Sequence, residues 1–133
     1  MAKIEHPVAK GLFQNPAYSH TVSATGARTI YISGQVSIDD KGAIVGAGDL
    51  GAQTTQVMRN LGLALAAAGA GYEHVVKITT YVVGYKPDMR AVIGQARSPF
   101  FAKGAPPAST LVGVQALAAP DWLIEIEAIA VVD

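Results

Sequence analysis

The stretch from Asp49 to Val83, DLGAQTTQVMRNLGLALAAAGAGYEHVVKITTYVV, confines the chain to few architectures. Val57, Leu61, Leu65 and Ala68 recur at helical spacing and predict a helix over roughly Leu50 to Ala68. Asp49 is the expected N-cap, because a carboxylate there can accept hydrogen bonds from orphan backbone N–H groups. Gly69 and Gly71 close the helix. The run HVVKITTYVV that starts at His74 then alternates as a strand. A helix with one apolar stripe, followed at once by an alternating strand, calls for a layer of helix on sheet.

The remaining segments extend that layer. AYSHTVSATGARTIYISGQVSID offers two strand-like runs around Thr25-Gly26, a hairpin signal. In its second run Ile30, Ile32 and Gly34 share one face, and Tyr31, Ser33 and Gln35 the other. Asp39 to Gly42 reads as a turn. PDMRAVIGQARSPFFAK predicts a second helix with Pro87 in its first turn. Met89, Val92, Ile93 and Ala96 form its apolar side, and Pro99 should bend or end it. APPASTLVGV reads as a stiff turn entering a strand, and WLIEIEAIAVV supplies the last strand. The order ββ-α-β-α-ββ predicts an α+β domain over residues 1–133, with two helices on one face of a mixed sheet.

Composition narrows the function. Ten basic residues balance ten acidic ones, which gives no support for nucleic-acid binding through clustered Lys and Arg. With no cysteine, disulfide frameworks, thiolate catalysis and Cys-built zinc sites are excluded. The first residues lack the apolar run of a signal peptide, and no stretch approaches the roughly 18 apolar residues of a membrane span. A cytoplasmic protein without membrane contact is expected. Low charge and many small apolar residues also suggest burial between subunits.

Several patterns invite a chemical reading. Gly46-Ala47-Gly48-Asp49-Leu50-Gly51 matches G-x-G-x-x-G, and Glu73 falls about where a ribose-binding acid would. The context fails: the preceding strand signal is only Ala43-Ile44-Val45, and Asp49 would put a negative charge where a pyrophosphate should sit. His6, His20 and His74 form no ligand pair, so surface or capping roles are expected and no metal site. Glu125 and Glu127 alternate with Ile124, Ile126 and Ala128, which sets two carboxylates side by side on one strand face. They read either as a solvated face or as a carboxylate held in a cleft to position or deprotonate a water. Ser33-Gly34-Gln35 interrupts an apolar strand, as a bulge or a close approach would. Tyr18 fits core or cleft equally.

Taken together, NPAYSH, YISGQVSID, the Asp49–Val83 stretch with its preceding glycine, FFAKGAPPASTLVGV and LIEIEAIAVV resemble the Rid proteins, the reactive-intermediate deaminases, also labelled YjgF-like or L-PSP endoribonuclease-like. The resemblance runs from about Asn15 to Val132. It implies a chorismate-mutase-like α+β fold and a homotrimer, with sheets at the centre, helices outside and a cleft between each pair of subunits. It also implies hydrolysis of enamines and imines such as 2-aminoacrylate to a keto acid and ammonia, with no metal or organic cofactor. By position it carries the cleft tyrosine onto Tyr18, the strand Ser-Gly onto Ser33-Gly34 and the water-positioning glutamate onto Glu125, leaving Glu127 structural.

One match fails. The family's typical PARSTVGV carries an arginine that grips the substrate carboxylate, and here a gapless pairing puts Ser109 in its place. A shift by one residue gives Ala108 instead. Leu111 stands where some members have cysteine, and a family asparagine falls at or near Gly94. A guanidinium binds a carboxylate bidentately, whereas a serine offers one neutral donor. Losing such a partner costs about 2–5 kcal/mol, or about 30- to several thousand-fold in affinity. The expectation is therefore a cleft of Tyr18, Gly34, Ser109 and Glu125 for a small carbonyl, imine or enamine metabolite, with weak or absent activity on 2-aminoacrylate. An active imine deaminase using Arg97 or backbone N–H groups for the anion is the alternative. A non-catalytic binding or chaperone-like trimer is another, and ribonuclease activity ranks behind both.

Overall fold

The computed structural model describes residues 2–102 and 104–133. Its strands are β1 (Lys3–Glu5), β2 (Ser23–Thr25), β3 (Arg28–Gln35), β4 (Val75–Val83), β5 (Ala108–Val114) and β6 (Ile124–Val132), and its helices are α1 (Leu50–Ala67) and α2 (Met89–Arg97). The main sheet has the order β3-β6-β4-β5. β6 runs antiparallel to both β3 and β4, and β4 and β5 are parallel because α2 connects them. The α+β layer with two helices and a mixed sheet is therefore as expected.

Alternation along the strands decides which face is covered. Ile124, Ile126, Ala128 and Ala130 of β6 and Ile78, Thr80 and Val82 of β4 are buried. They pack with Val57, Met58, Leu61 and Leu65 of α1 and Ile93 of α2 in one core. The intervening residues, Glu125, Glu127 and Tyr81 among them, lie on the other face and are only half-buried.

The caps of α1 follow the sequence. Asp49 is extended (φ −117°, ψ 101°), and its carboxylate accepts from Ala52 N at 3.0 Å. At the far end Gly69 takes φ +75°, which glycine tolerates. Gly69 N donates to Ala66 O and Ala70 N to Leu65 O, closing a Schellman motif. The G-x-G-x-x-G match is thus a helix cap. Its preceding residues form only an isolated bridge, Ile38 to Ile44.

Three expectations are corrected. The Thr25-Gly26 hairpin does not form: β2 pairs with β1, in the register Lys3 to Thr25 and Glu5 to Ser23. A Cβ on Gly26 would lie 2.7 Å from both Val132 O and Val131 Cγ1. The glycine lets the chain cross closely over the end of β6 from the small sheet to the large one, rather than turning a hairpin. The second helix begins at Met89, so Pro87 precedes it, and it ends at Arg97, where a 3-10 turn containing Pro99 continues from Ser98 to Phe101. Lys103 lies outside the described residues. Val92 is 40% exposed and does not belong to the buried side of α2.

Gln53 is a polar residue in the apolar stripe of α1 and has no solvent exposure. Its amide donates to Gly46 O at 3.2 Å and Asp121 O at 3.0 Å, and its oxygen accepts from Leu123 N at 2.9 Å. These bonds fix where β6 begins, and hence the position of Glu125. Gln53→Leu should orphan Asp121 O and Leu123 N, while Gly46 O keeps its bond from Asp49 N, and lower stability by about 2–4 kcal/mol in a denaturant melt. A loss below about 0.5 kcal/mol would show that water replaces the amide.

Candidate functional site

β5 leaves a stiff segment. Its start is held from outside by Ser19, whose N–H donates to Pro107 O at 3.1 Å and whose hydroxyl donates to Pro106 O at 2.5 Å. His6 Nδ1 lies 2.9 Å from the same hydroxyl. Ser19 and Ala108 form a parallel bridge. This clamp sets the neighbouring Tyr18 beside the first residues of β5. The ring of His20 meets that of Tyr18 edge-on at 5.2 Å, and His20 Nε2 is 2.6 Å from Phe13 O. Together with His74, which accepts from Gly71 N, the histidines thus hold local backbone and neighbouring side chains. Among the described residues no three His, Cys, Asp or Glu side chains cluster to hold a metal ion.

The register along β5 places Ser109 opposite Ile78 and Leu111 opposite Thr80, so both point to the helix-covered face. There they border a cavity of about 340 Å³ between β5 and α2. Tyr18, Arg97 and Gly94 line it too, together with Arg90, Tyr85 and Ile93. Arg97 Nη1 is buried and has no hydrogen-bond partner. Burial lowers the pKa of its guanidinium, which remains charged at any physiological pH. Three of the sequence-identified residues, Tyr18, Arg97 and Ser109, therefore share one cavity. Arg90 and Tyr85 were not found from the sequence. An exposed arginine on a helix reads as solvated surface, although its spacing of seven from Arg97 puts both on one side of α2.

The other three gather elsewhere. Between Ile32 and Gln35 the pairing with β6 slips by one residue, a bulge that breaks the simple alternation of β3. A Cβ on Gly34 would lie 2.6 Å from Glu125 Cδ and 2.8 Å from Cγ, and would overlap Oε2. The bulge and the close approach are thus one feature: Gly34 makes room for the Glu125 carboxylate. Ser33 is exposed and borders a groove between β3 and α1. Within one chain this group does not meet the cavity. β4 separates β6 from β5, and Glu125 and Ser109 project from opposite faces.

The two glutamates differ in their contacts. Glu127 Oε1 accepts from Tyr81 Oη at 2.9 Å, which holds the phenol above its ordinary pKa. The Glu125 carboxylate lies against Gly34 and has no hydrogen-bond or ion-pair partner among the described residues.

The profile of the family described as Endoribonuclease L-PSP matches residues 12–132. The structure superposes on a protein of unknown function of the conserved Rid family, YyfB from Yersinia pestis, with a TM-score of 0.90, 40% identity and 98% of each chain covered. The chain belongs to the Rid family. A relative named 2-iminobutanoate/2-iminopropanoate deaminase in Mus musculus is 37% identical over 114 residues, 86% of this chain and 80% of its own. Protein DfrA of Myxococcus xanthus is 35% identical over 114 residues, covering 86% of this chain and 84% of DfrA. β5 brings serine to the cavity, and the guanidiniums that border it come from α2.

Proposed function

We propose that this Rid protein binds a small imine, enamine or carbonyl metabolite in the cavity between α2 and β5, and hydrolyses the imine to a carbonyl compound and ammonia. The observation that carries the reading is the single cavity shared by Tyr18, Ser109 and Arg97. Arg97 offers a charged donor with no other partner, and the hydroxyls of Tyr18 and Ser109 offer neutral ones. Glu125 is assigned to orient the water and take its proton as the oxygen adds to the C=N carbon, and to return that proton to nitrogen, which gives the carbinolamine. Transfer of the hydroxyl proton to the amine then lets the carbonyl form as the C–N bond breaks and ammonia leaves. The name of the mouse relative, an imine deaminase, supports this reaction class.

Glu125 reaches the cavity only if a second copy supplies it. Ser33, Gly34 and Glu125 lie towards the β3 edge of the sheet, and Ser109 lies on the opposite edge strand. A head-to-tail ring joins opposite edges of neighbouring copies, and a closed ring of three would complete three sites. Sedimentation should therefore give three times the 13.7 kDa chain mass at micromolar concentration. The same preparation should speed ammonia release from freshly generated carboxylate-bearing imines. A stable monomer, or a trimer that leaves every such imine at its spontaneous rate, would overturn this function. Among the described residues no helix is long and apolar enough to cross a membrane. A formal net charge of zero gives no support to RNA binding through phosphate contacts.

A further inference from the structure

The cavity is bordered by two arginines, and none of its lining residues is acidic. Arg90 and Arg97 are separated by two helical turns, about 10 Å along the axis of α2. Neither has a hydrogen bond or ion pair to its guanidinium among the described residues. Gly94 lies between them on the same side of the helix, and a Cβ there would meet nothing within 4 Å. The helix surface is thus bare between two cations. Ile93, Tyr85 and Leu111 add apolar and aromatic wall.

We infer that the preferred ligand is a dianion, the 2-imino acid of a four- or five-carbon dicarboxylic amino acid, with one carboxylate on Arg97 and the second on Arg90. The inference rests on the imine-hydrolase reading for its chemistry, but its binding geometry stands on the cavity alone. A lone small carboxylate satisfies one guanidinium and leaves the other uncompensated. A dicarboxylate satisfies both, and its carbon chain lies over Gly94. Arg97, half-buried, sets the orientation. Arg90, exposed, discriminates by length and charge. On this reading 2-aminoacrylate, which carries a single carboxylate on three carbons, engages only Arg97.

Calorimetric titration of the full-length protein at low salt, with 2-oxoglutarate and with 2-oxobutanoate as stable mimics, tests the binding directly. The dicarboxylate should bind at least about fivefold more tightly, a modest factor because Arg90 is exposed and screened. Its advantage should shrink with added salt. Arg90→Gln should reduce the preference to within about twofold, and Arg90→Lys should keep part of it. Ammonia release from the imines of glutamate and of 2-aminobutanoate, each generated by an amino-acid oxidase, should follow the same order. Equal binding of the two mimics, or a preference untouched by Arg90→Gln, overturns the inference even if imines are hydrolysed. A preference that Arg90→Gln removes, in a protein that hydrolyses no imine, upholds the dianion site and overturns the hydrolase reading instead.

Discussion

Arg97→Met should weaken binding of carboxylate-bearing ligands at least about 30-fold while leaving the protein at least as stable as before. Two facts give opposite signs to the two effects. The guanidinium is mostly desolvated, which lowers its pKa, and its Nη1 is buried without a partner. In the unliganded protein such a charge is a liability, and an apolar side chain of similar length removes it. The thermal midpoint should stay level or rise. Once an anion enters, the same group becomes the buried half of a charge-assisted pair. Its loss should weaken binding by about 30- to several thousand-fold. A stable variant that still binds 2-oxo acids would show that the anion sits elsewhere. The complementary experiment returns the guanidinium to β5. Ser109 faces the same cavity, so Arg97→Met combined with Ser109→Arg should recover monocarboxylate binding. In a chain that keeps Arg97, Ser109→Arg alone would place a third cation beside two others and should gain much less.

The legible part of the fold was the part governed by local rules. Val57, Leu61 and Leu65 repeat at helical spacing, and all three are fully buried. Asp49 and Gly69 cap their helix as their chemistry requires. β1 escaped because an alternation of only three residues, Lys3 to Glu5, is too short to read as a strand. The Gly26 hairpin misled because a glycine between strand-like runs signals either a turn or a close crossing, and only the position of Val132 decides between them. Gln53 did carry a signal, a polar side chain four residues before Val57 in an apolar stripe. Its meaning depended on Asp121 and Leu123, nearly 70 residues away. The site followed the same division. Tyr18, Ser33, Gly34, Ser109 and Glu125 came from motif positions along the chain. That Ser109 and Glu125 project from opposite faces, with β4 between their strands, is a property of register and strand order, which no local pattern encodes.

Gly34→Ala should silence turnover as fully as Glu125→Gln does, without unfolding the protein. Gly34 does not have positive φ, so an alanine meets no backbone strain there. It also restricts the unfolded chain, a gain of about 0.4–1 kcal/mol where the conformation is compatible. The obstacle is entirely the neighbour: the new methyl would occupy the volume of the Glu125 carboxyl group. That group is the mobile end of a flexible side chain, so it moves aside at small cost to stability. Moving aside takes it out of position for the water. Loss of a positioned general base lowers the rate by about 10²- to 10⁴-fold. Both single variants should therefore retain 2-oxo acid binding at Arg97 and lose kcat. Their combination should be no slower than either alone, because each removes the same interaction. If Gly34→Ala stays folded and keeps its turnover, the water is oriented by something other than Glu125. A Gly34→Ala loss that Glu125→Gln does not reproduce would instead assign the catalytic effect to the β3 bulge itself, with the carboxylate reduced to a packing neighbour.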